Sequence, residues 1–183
     1  EDAGQCVSEI IAKGIIPAGM EIMDKALTKA TNDYSKAGYP VDAEAMMIVE
    51  LDGTETEVSE LIKRVEDIAK ENKCSSIKIN KSEEERLKFW AGRKAAFPAC
   101  GDLAPDYMCM DGSIPRGKLA VVLKEIQRLS KKYELPVANA FHAGDGNLHP
   151  LIMFNANDPE QLRKTEEFGS EILKYCVKVG GAL

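Results

Sequence analysis

A chain of 183 residues, 44% hydrophobic and 30% charged, suits one globular domain and is too evenly mixed for a disordered or fibrous one. A net charge of −6 without a long Lys/Arg run excludes a nucleic-acid-tracking stripe, and no apolar run reaches the roughly 20 residues of a membrane span. Five scattered cysteines without a C-x-x-C pair read as reduced thiols of a cytoplasmic protein, and no basic head with an apolar core marks a signal peptide.

In chain order, residues 3–13 form a short helix stopped by Gly14. Residues 15–22 carry Pro17 and Gly19 and read as extended or irregular. Met23, Leu27, Ala30, Tyr34 and Ala37 recur at helical spacing, so a helix is expected over about 20–37, closed by Gly38 and Pro40. Residues 43–51 alternate as a strand. Thr54 with Glu57 makes a capping box opening a helix over about 55–72. Ile77 and Ile79 alternate with Lys78 and Asn80 in a short strand. Ser82 with Glu85 is a second capping box, its helix running past Trp90 to about residue 96 and closed by Pro98. Residues 107–113 are a strand candidate, and Leu119, Val122, Leu123, Ile126 and Leu129 a helix. Asp158-Pro159 with Gln161 starts the last helix, toward Gly180. Two βαβ units, over 43–80 and 107–142, predict a ferredoxin-like α+β domain: one antiparallel sheet with helices mainly on one face. The other face is then covered by something or serves as a working surface.

Between the apolar runs 137–141 and 148–154 lies Asp145-Gly146, a strong signal for a two-residue hairpin turn. Counting outward puts His142 opposite His149, the chain's two histidines, on one face with Ala138, Ala140, Leu151 and Met153, while Phe141, Ile152 and Phe154 take the other. Two imidazoles side by side could grip one metal ion; two half-buried, hydrogen-bonded histidines fit the spacing as well. Arg93, three residues after Trp90, could pair bidentately with a carboxylate or simply be solvated. Asp111 reads as a turn residue, Arg116 as a helix-start or surface residue, and Cys109, between Met108 and Met110, as core. No phosphate loop and no nucleophile elbow is present.

Several stretches together resemble the C-terminal domain of FAD-linked oxidases, in the branch of the glycolate oxidase FAD-binding subunit and D-lactate dehydrogenase. They are Met23-Asp24, Ala37-Gly38-Tyr39-Pro40-Val41-Asp42-Ala43-Glu44-Ala45, Glu50-Leu51-Asp52-Gly53, Trp90-Ala91-Gly92-Arg93-Lys94-Ala95-Ala96-Phe97, Tyr107 through Arg116, and His142 through Pro150. The resemblance covers nearly the whole chain, 1–183. It implies a flavin-dependent 2-hydroxy-acid dehydrogenase in which a separate N-terminal domain holds FAD and this domain caps the flavin. It implies that His142 and His149 ligate a divalent metal such as zinc, manganese or iron, and that Arg93 pairs with the substrate carboxylate. A third ligand, a glutamate, and a histidine acting as base are expected just past Leu183, so no catalytic base is assigned within these residues. The absence of a lysine near Cys109 favours a small acid such as glycolate or lactate. An iron–sulfur partner subunit is implied, with any membrane association arising through it. A different class of reading is a stand-alone ferredoxin-like ligand-binding or regulatory module forming a homodimer through its open sheet face.

Overall fold

A computed structural model describes residues 1–183. The elements are α1 (Asp2–Ala12), β1 (Gly19–Asp24), α2 (Lys25–Ser35), β2 (Ala45–Glu50), α3 (Glu55–Glu71), α4 (Glu83–Lys94), α5 (Ala96–Ala99), β3 (Asp106–Cys109), β4 (Gly112–Ser113), α6 (Leu119–Tyr133), β5 (Val137–His142), β6 (Asn147–Phe154) and α7 (Pro159–Lys178). The strands form one antiparallel sheet in the order β2-β1-β5-β6-β3, with β4 also on β6. The α+β class and the antiparallel sheet are therefore as expected, but the helices expected mainly on one face pack on both.

Local chemistry sets most element ends. Asp24 caps α2 by accepting from the Leu27 N–H at 3.0 Å. Thr54 and Glu57 close a full capping box on α3. Ser82 accepts from Glu85 N–H, but the Glu85 carboxylate reaches Lys81 N–H instead of closing the second box. Asp158 caps α7 ahead of Pro159, whose missing N–H costs nothing in the first turn.

Alternation along the strands gives the sheet two apolar faces. One carries Met20, Ile22, Phe141, Leu148, Ile152 and Phe154, packed under α1, α3, α6 and α7. The other carries Met23, Met46, Ala138, Ala140, Leu151 and Met153, met by Leu27 of α2, Ala37, Tyr39, and Ala96 and Cys100 around α5. The second face is thus largely covered, and the two histidines stand at its uncovered end.

The structure corrects several expectations. Residues 20–24 are strand, and the helix expected over 20–37 starts only at Lys25. The helical spacing of Met23 and Leu27 arises because a buried strand end and the first turn of the next helix enter the same core. Ile77 and Ile79 form no strand; both are exposed, and no strand lies beside them to supply a partner. Pro98 falls inside the short α5, where an early position tolerates its missing N–H. The segment 107–113 is strand broken at Met110–Asp111, and Cys109 is exposed rather than core.

Candidate functional site

The site is built on the β5–β6 hairpin. Its connection is not the two-residue turn expected. His142 pairs with Asn147 and Ala140 with His149, leaving residues 143–146 as the loop. Contacts outside the hairpin select this longer loop: Gly144 N–H donates to Met20 O at 3.0 Å, and Gly146 O accepts from Ile114 N–H at 2.9 Å. Gly146 has φ +75°, and a Cβ there would lie 2.2 Å from Ile114 O, so only glycine fits. The two-residue slip preserves the face, because side-chain direction repeats every second residue. His142 and His149 are therefore diagonal rather than directly opposed, on the same face, with ring centroids 5.2 Å apart and planes at 89°.

His142 stands directly across from Glu21 on β1. Its Nδ1 lies 2.7 Å from Glu21 Oε1. A carboxylate only accepts, so Nδ1 carries the proton and Nε2 is left as the donor atom for a ligand. The other oxygen of Glu21 takes Arg93: Nε donates to Oε2 at 3.0 Å and Nη2 lies 2.8 Å from it. That second approach is outside hydrogen-bond geometry, leaving Nη2 a buried donor without a partner. Arg93 is 6% exposed, so the solvated-arginine alternative is excluded. It reaches the sheet from the last turn of α4, which approaches closely because Gly92 packs against Tyr39 and the Tyr39 hydroxyl donates to Phe89 O.

His149 is more enclosed, with 15% of its side chain exposed against 45% for His142. Phe97 meets its ring edge-on at 6.2 Å, and Tyr107 packs against Phe97 in turn. Burial lowers the His149 pKa below its usual value; Asp111 opposes the shift, while His142 and Arg93 add to it. The β3–β6 and β4–β6 registers are continuous, so Asp111 falls opposite His149, with Oδ1 3.9 Å from Nδ1. Asp111 is thus a neighbour of the site rather than only a turn residue. Asn147, on the same face, has a buried Oδ1 without a hydrogen-bond partner.

The structure therefore brings His142, His149 and Arg93 to one end of one sheet face, joined through Glu21. Glu21 escaped the sequence reading. The signal was its lone charge among Met20, Ile22 and Met23, a pattern that marks a buried, paired acid once the segment is read as a strand. No group of three His, Cys, Asp or Glu side chains forms a metal cluster within residues 1–183.

The fold is an α+β domain: an antiparallel sheet carrying helices on both faces, with an imidazole pair and a buried acid–guanidinium pair at the open end of one face. The family described as "FAD linked oxidases, C-terminal domain" matches residues 1–183, and the chain belongs to it. It is 54% identical over 183 residues to "Glycolate oxidase subunit GlcD" of Escherichia coli (strain K12), covering 100% of this chain and 37% of that protein. It is 32% identical over 181 residues to the protein of the same name in Bacillus subtilis (strain 168), covering 99% and 38%. Among solved structures, p-cresol methylhydroxylase with substrate bound superposes with a TM-score of 0.67 at 15% identity, covering 99% of this chain and 41% of that one, a likeness of fold. The chain spans well under half the length of these relatives. No helix is long and apolar enough to cross a membrane.

Proposed function

We propose that this chain is the cap and substrate domain of a flavin-dependent 2-hydroxy-acid dehydrogenase that oxidises glycolate or D-lactate, with FAD held mainly by a separate N-terminal domain. The observation that carries the reading is the connected set Arg93–Glu21–His142 beside His149, in a chain of the FAD-linked oxidase family. Arg93 supplies a guanidinium whose Nη1 makes no hydrogen bond within the chain, suited to the carboxylate of the acid. Fixing that carboxylate orients the substrate carbon, which is worth more than the contact itself.

His142 and His149 would hold a divalent metal such as zinc, manganese or iron, ions that imidazole suits. The donor set fits in part: two imidazoles, one with its tautomer set by a carboxylate, as ligating histidines usually are. The remaining donors must be substrate oxygens or residues outside 1–183. Ala182 pairs with Ser113, so residues extending this pairing beyond Leu183 would run beside Asp111, next to His149. When bound there, a divalent ion would supply polarisation of the substrate oxygen and FAD would supply the hydride acceptor, while Arg93 holds the substrate carboxylate in place. Phe97 lines the His149 side of the site, with Tyr107 packed behind it.

Two relatives are named as a glycolate oxidase subunit, which supports a partner subunit; an iron–sulfur protein as that partner rests on the family resemblance alone. The stand-alone dimerising module is less well supported, since α2 and the residues around α5 already cover much of the face it would use. The test is direct. The full-length polypeptide should purify yellow with FAD and reduce a dye with glycolate or D-lactate. A flavin-free protein, or one indifferent to both acids, contradicts the reading.

A further inference from the structure

We propose that Glu21 is the positioning residue of this site, setting the orientation of both His142 and Arg93; the inference rests on the functional reading above. Glu21 is 7% exposed and lies on an interior strand of the sheet. Its two oxygens are divided between the two groups: Oε1 faces His142 Nδ1, and Oε2 accepts from Arg93 Nε and forms an ion pair with the guanidinium. Stability alone gives little reason for this arrangement, because a buried ion pair is seldom better than a well-packed apolar pair of similar volume. The geometry gives a functional one. Holding Nδ1 turns Nε2 of His142 toward the ligand side and strengthens it as a donor. The Nε hydrogen bond, with Nη2 held 2.8 Å from the same oxygen as an ion pair, fixes the guanidinium plane and leaves Nη1 for an incoming carboxylate. One carboxylate thereby sets the relative placement of a metal ligand and a substrate anchor that lie on different elements, β5 and α4. Glu21 itself touches neither metal nor substrate in this scheme.

The test uses the full-length protein with Glu21→Gln. The amide oxygen can serve one partner, and the amide N–H₂ then opposes the other. Zinc affinity, measured by competition with a chelator, should fall about 10- to 100-fold, and KM for the hydroxy acid should rise about tenfold or more, the loss of roughly one charge-assisted contact. A lowered thermal midpoint with unchanged zinc affinity and KM overturns the proposal, since Glu21 would then only neutralise Arg93. If the Gln variant fails to fold, Glu21→Asp carries the same readouts. It keeps the charge but shortens the reach, so a loss in zinc affinity and KM supports the proposal and wild-type values overturn it. His142→Ala and Arg93→Ala separate the two levels. If they leave zinc affinity and KM intact, the functional reading itself fails. If they destroy both while Glu21→Gln does not, only the role of Glu21 fails.

Discussion

The ring of His142 meets that of His149 edge to face, with centroids 5.2 Å apart, although the residues sit two positions out of direct opposition in the hairpin. Diagonal neighbours on one sheet face are still within reach of long side chains. The pair therefore tolerates the longer loop, and the constraint on that loop comes from β1 and Ile114 rather than from the hairpin itself.

Loop geometry gives a first prediction. Gly14 and Gly146 both have positive φ, at +76° and +75°, but a Cβ meets nothing at Gly14 and backbone oxygen at Gly146. Gly14→Ala should cost about 1–2 kcal/mol, the left-handed backbone penalty alone. Gly146→Ala adds a steric conflict with Ile114 O and should cost clearly more, read as urea midpoints. Equal costs would mean that the hairpin loop can move away from Ile114.

Arg93 is buried against Glu21, and removing one partner leaves a buried charge less well compensated. Arg93→Ala should destabilise by about 3–5 kcal/mol. Arg93→Lys should recover part of that stability while KM for the acid stays raised, because an ammonium lacks the planar fork. A lysine variant with wild-type KM would remove the guanidinium from substrate binding.

The pH dependence follows from His149. Its folded pKa lies below 6.5, chiefly through burial. Between the two values the unfolded chain binds more protons, so stability rises with pH there. The contribution is fully present above about 6.5 and is lost as pH falls below that value toward the folded pKa. Urea midpoints measured from pH 7.5 downward should fall, and His149→Gln should flatten the slope. An unchanged slope would assign the dependence to other groups.

Asp24 behaves in the opposite sense. Burial raises its pKa, against the Leu27 N–H and the Asn139 amide, which lower it. A raised acid favours folding most below its ordinary value of 3.8 and loses that contribution as pH rises through the folded pKa. Asp24→Asn keeps a capping oxygen, and the unpartnered Oδ1 of Asn139 can turn to accept from the new amide. The variant should be at least as stable as wild type at pH 7, with the advantage shrinking toward pH 4. A large loss at pH 7 would make the Asp24 charge itself essential.

Much of this site was legible in the residues. Alternation about His142 and His149 assigned both to one face with the small alanines, and a slip of two residues could not spoil that assignment. Asp158-Pro159 and the Thr54–Glu57 box marked helix starts because capping is local chemistry. β1 was not legible: Pro17 and Gly19 suppress strand propensity, and the strand exists because β2 and β5 flank it. Glu21 was lost with it. The alternation at Ile77 and Ile79 had the form of a strand but no neighbour to pair with. Arg93 could not be told from a surface arginine without knowing that α4 lies against the Glu21 strand.

The most direct measurement is anaerobic, single-turnover reduction of the flavin by glycolate or D-lactate in the full-length protein, compared with its His142→Ala and His149→Ala variants. Loss of either imidazole should slow reduction by about 100-fold or more, the kinetic equivalent of about 3 kcal/mol of transition-state stabilisation, with FAD still bound. Wild-type rates in both variants would contradict the assignment of this sheet face as the place where the acid is oxidised.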